Sequence, residues 1–136
     1  MSEATIEQVM NASPHTIGQE QPLSVAHEMM REHAIRHLPV LHGGKLVGIL
    51  SQRDLHFIET LKDVDPEKVR VSEAMSMETY AVGPRSTVRK VAAEMAEHRY
   101  GAAVVVDKER VVGIFTTIDG MRLLSEVLPA PRHGKA

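Results

Sequence analysis

Gly48-Ile49-Leu50-Ser51-Gln52-Arg53-Asp54 has a twin sixty-five residues further on, Gly113-Ile114-Phe115-Thr116-Thr117-Ile118-Asp119. Each copy runs glycine, two apolar residues, a hydroxyl residue, two variable positions and an aspartate. The apolar runs Lys45–Leu50 and Arg110–Phe115 read as strands ending at the hydroxyl residue, where helical periodicity begins. The aspartate then falls in the helix's first turn, beside unpaired backbone N–H groups and a positive dipole end. Two such junctions in one small chain point to a protein that holds something anionic or ribose-bearing between two halves.

Working outward, the register of 65 extends over Ile6–Ile58 and Val71–Leu123 without a gap. Ten of the 53 aligned positions are identical: Met10/Met75, Gly18/Gly83, Met30/Met95, Glu32/Glu97, His33/His98, Val40/Val105, Val47/Val112, Gly48/Gly113, Ile49/Ile114 and Asp54/Asp119. Average residue usage would give about three. The chain is a duplication, with residues 1–64 the first repeat, 65–128 the second and 129–136 a disordered tail.

The surrounding composition removes several classes of function. Apolar content of 43% and charged content of 25% are those of a soluble globular protein. A net charge of −2 with interspersed signs offers no field for nucleic acid or an anionic membrane. No apolar run approaches the roughly 20 residues of a membrane span, and no signal peptide opens the chain. With no cysteine, disulfides, thiolate catalysis and cysteine-based zinc sites are excluded, which fits the cytoplasm. With only two Tyr and two Phe, the core must be aliphatic and methionine-filled. No nucleophile–base pair, Walker loop or His-Glu-x-x-His motif is present, so the chain reads as a non-enzyme.

Within each repeat the elements follow one order. Residues 1–5 read as frayed; then a short apolar turn (Ile6, Val9, Met10; Val71, Ala74, Met75) leads to an extended piece near Ile17 or Val82. A helix follows, with Pro22 at its first position in one repeat and Ser86 as N-cap in the other. It buries Leu23, Ala26 and Met30, or Val88, Val91 and Met95. Hairpins then turn at His42-Gly43-Gly44 and Asp107-Lys108-Glu109, with Pro39 restricting its position to a strand start or edge. The closing helices are expected over Asp54–Leu61 and Asp119–Leu128, the latter weakened by Gly120 at about 1 kcal/mol relative to Ala. Asp65-Pro66 in the connector reads as a helix start.

This doubled strand–helix–strand–strand–helix order, with its Gly-x-x-(Ser/Thr)-x-x-Asp signature, resembles a tandem pair of CBS domains over residues 6 to 126. Met10, Leu23, Ala26, Met30 and the run from His37-Leu38-Pro39-Val40 to Gly48-Ile49 also fit that pattern. Ala103-Val104 and Gly120 depart from it. The resemblance implies an α/β fold of two pseudo-symmetric β-α-β-β-α repeats packed through their sheets. It also implies two clefts for adenosine-containing ligands and a regulatory role, here in a module with no enzyme attached.

Each cleft, by the resemblance, takes its hydroxyl residue and aspartate from one repeat and its base-facing residues from the other. Thr116 and Asp119 then face His15, Ile35, Arg36 and His37; Ser51 and Asp54 face Tyr80, Tyr100, Gly101 and Ala102. The first set is expected to be the stronger phosphate site, because Arg36 and His37 are donors suited to phosphate. The second offers tyrosines for stacking but few cations beyond Arg53. Ser51-x-x-Asp54 and Thr116-x-x-Asp119 also read as capping boxes, and the two readings are compatible. His33-x3-His37 would pair as metal ligands only on a continuous helix, which the strand near Leu38 opposes, so no metal is expected. Arg85, Arg89 and Arg99 read as a solvated face.

Two functions remain open. One is a sensor of AMP, ADP or ATP that alters its association with itself, as a homodimer, or with a regulated partner. The other is a ligand-free interaction module whose Ser/Thr–Asp pairs only cap helices.

Overall fold

The computed structural model of the protein describes residues 3–131. Its first sheet sets β2 (Ile17–Gly18) parallel to β3 (His37–His42), which pairs antiparallel with β4 (Lys45–Ser51). The second sheet repeats this with β5 (Ala81–Val82), β6 (Ala102–Asp107) and β7 (Arg110–Thr116). An added strand, β1 (Asn11–Ala12), lies antiparallel along β7. The helices are α1 (Ile6–Val9), α2 (Leu23–His33), α3 (Gln52–Glu59), α4 (Val71–Ala74), α5 (Val88–His98) and α6 (Thr117–Val127). The β-α-β-β-α order expected of each repeat is present twice in an α/β fold.

Both hairpins close through two residues with positive φ, as a type I′ turn requires. Gly43 and Gly44 supply them in the first (φ 58° and 81°), whereas Lys108 and Glu109 adopt 51° and 67° without glycine's freedom. Pro39 lies inside β3, the central strand of its sheet, and is fully buried. It is tolerated there because pairing with β2 begins one residue later, at Val40. Its equivalent Val104 donates its N–H to the Tyr80 carbonyl at 2.8 Å, a bond that proline cannot make.

Several local expectations are corrected. Pro22 is the N-cap of α2, and Thr87, not Ser86, caps α5, its Oγ1 accepting from Lys90 N at 3.3 Å. α3 and α6 begin two residues earlier than expected, because the hydroxyl residue itself is the cap, and α6 runs through Gly120 unbroken. Asp65-Pro66 makes a single turn, with Lys68 N on the Asp65 carbonyl. Residues 3–5 are tied down: Val88 N donates to the Ala4 carbonyl, Thr5 bridges Thr87 and Glu3 pairs with Arg89. Of the tail expected to be disordered, residues 132–136 lie outside the described residues.

The packing unit is not the sequence repeat. Ile17, Leu23, Ala26, Met30, Leu38, Val40, Leu50 and Leu55 form one core, completed by Val71 from the second repeat. Val91, Met95, Ala103, Val105 and Phe115 form the other, completed by Ile6 from the first. Ile6 and Val71 are wholly buried, each contributing roughly 1.5–3 kcal/mol. Backbone bonds hold the exchange symmetrically: Ile6 N to Ser86 O at 2.7 Å, and Val71 N to Gln21 O at 2.8 Å. Ile49 and Ser76 exchange both their N–H···O bonds at 2.9 Å. Two of the internal identities are thereby explained. Met10 seats on Gly113 and Met75 on Gly48, where a Cβ would overlap each methionine side chain.

Candidate functional site

The C-terminal ends of α2 and α5 aim the cleft residues. Ala34 and Arg99 turn the chain in the left-handed region (φ 54° and 59°), and the next N–H returns to the helix. Ile35 N bonds Met30 O at 3.0 Å, and Tyr100 N bonds Met95 O at 2.9 Å, a Schellman closure in each repeat. The following residues are then clamped to the opposite junction of the same repeat. Gln52 N donates to Arg36 O (2.8 Å) and Thr117 N to Gly101 O (3.1 Å).

At each junction the capping box is formed. Asp54 N donates to Ser51 Oγ (3.2 Å), while Asp54 Oδ2 accepts from Ser51 N (2.8 Å) and Ser51 Oγ (3.0 Å). Asp119 N donates to Thr116 Oγ1 (3.4 Å), and Asp119 Oδ2 accepts from Thr116 N (2.8 Å) and Thr116 Oγ1 (2.9 Å). Capping occupies one carboxylate oxygen in each case. The other oxygen distinguishes the two sites. Among the described residues nothing donates to Asp54 Oδ1, whereas Arg122 lies 3.5 Å from Asp119 Oδ1 and Asn11 Nδ2 adds a third bond to Oδ2 at 2.8 Å.

Two cavities open at these aspartates. One, of about 710 Å³, brings Thr116 and Asp119 together with His15, Ile35, Arg36 and His37, the set inferred from the sequence. The other, of about 680 Å³, brings Ser51 and Asp54 together with Tyr80, Tyr100, Gly101 and Ala102. Both volumes suit a nucleotide-sized ligand.

The charge difference expected between the clefts is absent. Arg36 and His37 line both cavities, and Arg99 joins Arg53 in the second instead of lying on the solvated face that the sequence suggests. The Asp119 lining carries Arg36 and Arg122 against one carboxylate. The Asp54 lining carries Arg36, Arg53 and Arg99 against Asp54 and Glu78. Each therefore holds one more arginine than carboxylate. His37 reaches across because Gly101 has no side chain: a Cβ there would come within 2.8 Å of His37 Nε2. Burial pushes the His37 imidazole below its usual pKa; Asp54 opposes that shift and Arg36 adds to it.

The aromatic rings already have partners. Tyr80 stacks on Tyr100 at 5.0 Å, and Tyr100 on His98 at 5.2 Å. In the first cleft His15 stacks on His33 at 3.7 Å. His33 ends α2 and His37 begins β3 beyond the left-handed Ala34, so the two do not share a helical face. Among the described residues no cluster of three or more His, Asp or Glu side chains is placed to hold a metal ion. No helix among them is long and apolar enough to cross a membrane.

Sequence reasoning missed Asn11, Arg122, His33 and Glu78 as lining residues. Arg122, three residues after Asp119 on a helix, was legible by spacing. Asn11 was not, because its place depends on β1 crossing to the other repeat.

Comparison with known proteins agrees with this architecture. The chain is 30% identical over 123 residues to hypoxic response protein 1 of Mycobacterium tuberculosis, covering 90% of this chain and 86% of that protein. A solved structure of hypoxic response protein I, with two coordinated zinc ions, superposes with a TM-score of 0.77 at 28% identity, covering 93% of this chain and all of that one. The CBS domain pair of protein MJ0100, in complex with 5′-methylthioadenosine and S-adenosyl-L-methionine, superposes with a TM-score of 0.83 at 27% identity, covering 92% and 98% of the two chains. The CBS domain profile itself matches twice, at residues 6–57 and 71–126. The chain belongs to the CBS domain family, of which it carries a tandem pair.

Proposed function

We propose that the protein is a regulatory sensor of adenine nucleotides, AMP, ADP or ATP, bound in one or both clefts. The observation that carries this reading is the pairing, twice, of a first-turn aspartate from one repeat with a strand start from the other across a nucleotide-sized cavity. Asp54 and Asp119 accept from the ribose hydroxyls, as an acidic residue does in dinucleotide-binding folds. The junctions and Arg36 face phosphate. The MJ0100 pair, whose ligands both contain adenosine, supports the choice of ligand class.

The output is a change in association, with a homodimer as the first candidate. α6 carries Asp119 and also buries none of its residues, exposing Ile118, Met121, Leu124 and Val127. Ile118 also lines the Asp119 cavity, so occupancy and the apolar face meet on one helix. The complete capping boxes favour the rival reading, a ligand-free interaction module. Isothermal titration with AMP, ATP, NAD and S-adenosylmethionine, paired with light scattering, separates the two. Heat from at least one ligand and a ligand-dependent mass are expected; no heat from any of the four overturns the sensor.

A further inference from the structure

We propose that the two clefts are anticooperative towards phosphorylated ligands because they share a single surplus cation, Arg36. The inference rests on the nucleotide reading of the clefts. Arg36 lines both cavities, and its pseudo-symmetric counterpart is Gly101, which has no side chain to offer in return. In each lining the arginines exceed the carboxylates by one, and Arg36 is counted in both. When its guanidinium turns to a phosphate in one cleft, the remaining arginines of the other only balance its carboxylates.

The geometry allows the choice to be made either way. The Arg36 backbone is fixed by its carbonyl's bond to Gln52 N at 2.8 Å. Its side chain is exposed and makes no salt bridge among the described residues. The other cations are committed locally: Arg122 pairs with Asp119 at 3.5 Å, while Arg53 and Arg99 line only the Asp54 cavity. His37 is shared as well and lies over Gly101 between the clefts. Adenosine, which lacks phosphate, makes no demand on Arg36 and fills the two clefts independently.

Titration calorimetry with AMP and adenosine tests this on the full chain. Asp54→Ala and Asp119→Ala first give the affinity of each cleft alone. In the unmodified protein the second AMP is expected to bind about tenfold more weakly than that cleft does alone, the lower end of a charged hydrogen bond's worth. Adenosine shows no such gap. Arg36→Ala weakens the first AMP and removes the gap, while Arg36→Lys retains part of it; circular dichroism melts verify that each variant is folded. Independent AMP sites, or a gap that survives Arg36→Ala as simple repulsion between phosphates would, overturn the inference alone. No heat from either AMP or adenosine overturns the nucleotide reading and this inference with it.

Discussion

Replacing Gly113 with alanine tests whether the exchanged opening turns hold the molecule together. A Cβ at that position would lie 2.8 Å from Met10 Cγ and 2.9 Å from Met10 Cε, with Sδ closer still. Carbon atoms pack at about 3.5–4.0 Å, so the overlap is roughly 0.6–1.2 Å and Met10 must leave its seat. Overpacking of this kind destabilises by about 1–3 kcal/mol. Met10→Ala alone removes a half-buried side chain and should destabilise by about 1 kcal/mol. In the double variant the new methyl group occupies the space Met10 vacates. Its loss should therefore be close to that of Met10→Ala, a coupling of about 1–3 kcal/mol relative to the sum. Gly48→Ala behaves differently, because its Cβ would meet backbone, Ser76 O at 2.8 Å, as well as the Met75 side chain. Met75→Ala should rescue it only in part. Urea unfolding followed by far-ultraviolet circular dichroism suits a chain with no tryptophan, and a loss of 2 kcal/mol lowers the midpoint by about 1 M. Additive effects at Gly113 and Met10, or full rescue of Gly48→Ala, would refute the reasoning.

Four further outcomes are expected. His37 is held below its ordinary pKa by burial, so the unfolded chain binds this proton more readily. Its contribution to stability is present above about pH 6.5 and is lost as pH falls through the lowered folded value. The slope of urea midpoint against pH should flatten in His37→Asn. If AMP binds beside His37 as proposed, its phosphate should raise that pKa again, so affinity should increase as pH falls towards 6 with proton uptake visible in buffers of different ionisation heat; an unchanged profile in His37→Asn removes this assignment. Glu109→Gly relieves a left-handed residue at a hairpin tip and should raise stability by about 0.5–1 kcal/mol, since the exposed Lys45–Glu109 contact contributes little. A fragment of residues 1–64 lacks Val71 and leaves Ile6 without a seat, and a cooperative melt from it would count against the exchanged cores.

The duplication, the strand–helix junctions and both aspartates were legible because each depends on local pattern: period-two runs, caps and turn residues. Ser51 and Thr116 announce their helices within three residues. What stayed hidden depends on contacts between repeats. Nothing local in Asn11 says that β1 will lie along β7 and deliver its amide to Asp119. Arg36 and His37 were read as belonging to one cleft because position alone does not reveal that Gly101 leaves the wall between the clefts open. Pro39 was read by its missing N–H, and burial of its ring in the central strand is a tertiary outcome.

The exchange of α1 and α4 bears on how such a chain could arise. A lone repeat has no place on itself for its opening helix and could complete a core only by lending that helix to a second copy. Two separate copies would do so subject to dilution, as in a domain-swapped dimer. Joined by a short connector, each helix meets its seat at an effective concentration of about millimolar, whatever the protein's abundance. Halves 1–64 and 65–131 mixed in solution should therefore regain structure together that neither holds alone, at concentrations that measure what the connector contributes. Covalent union also releases the two halves from identity. A wall residue need no longer match its twin, and arginine at 36 can stand opposite glycine at 101.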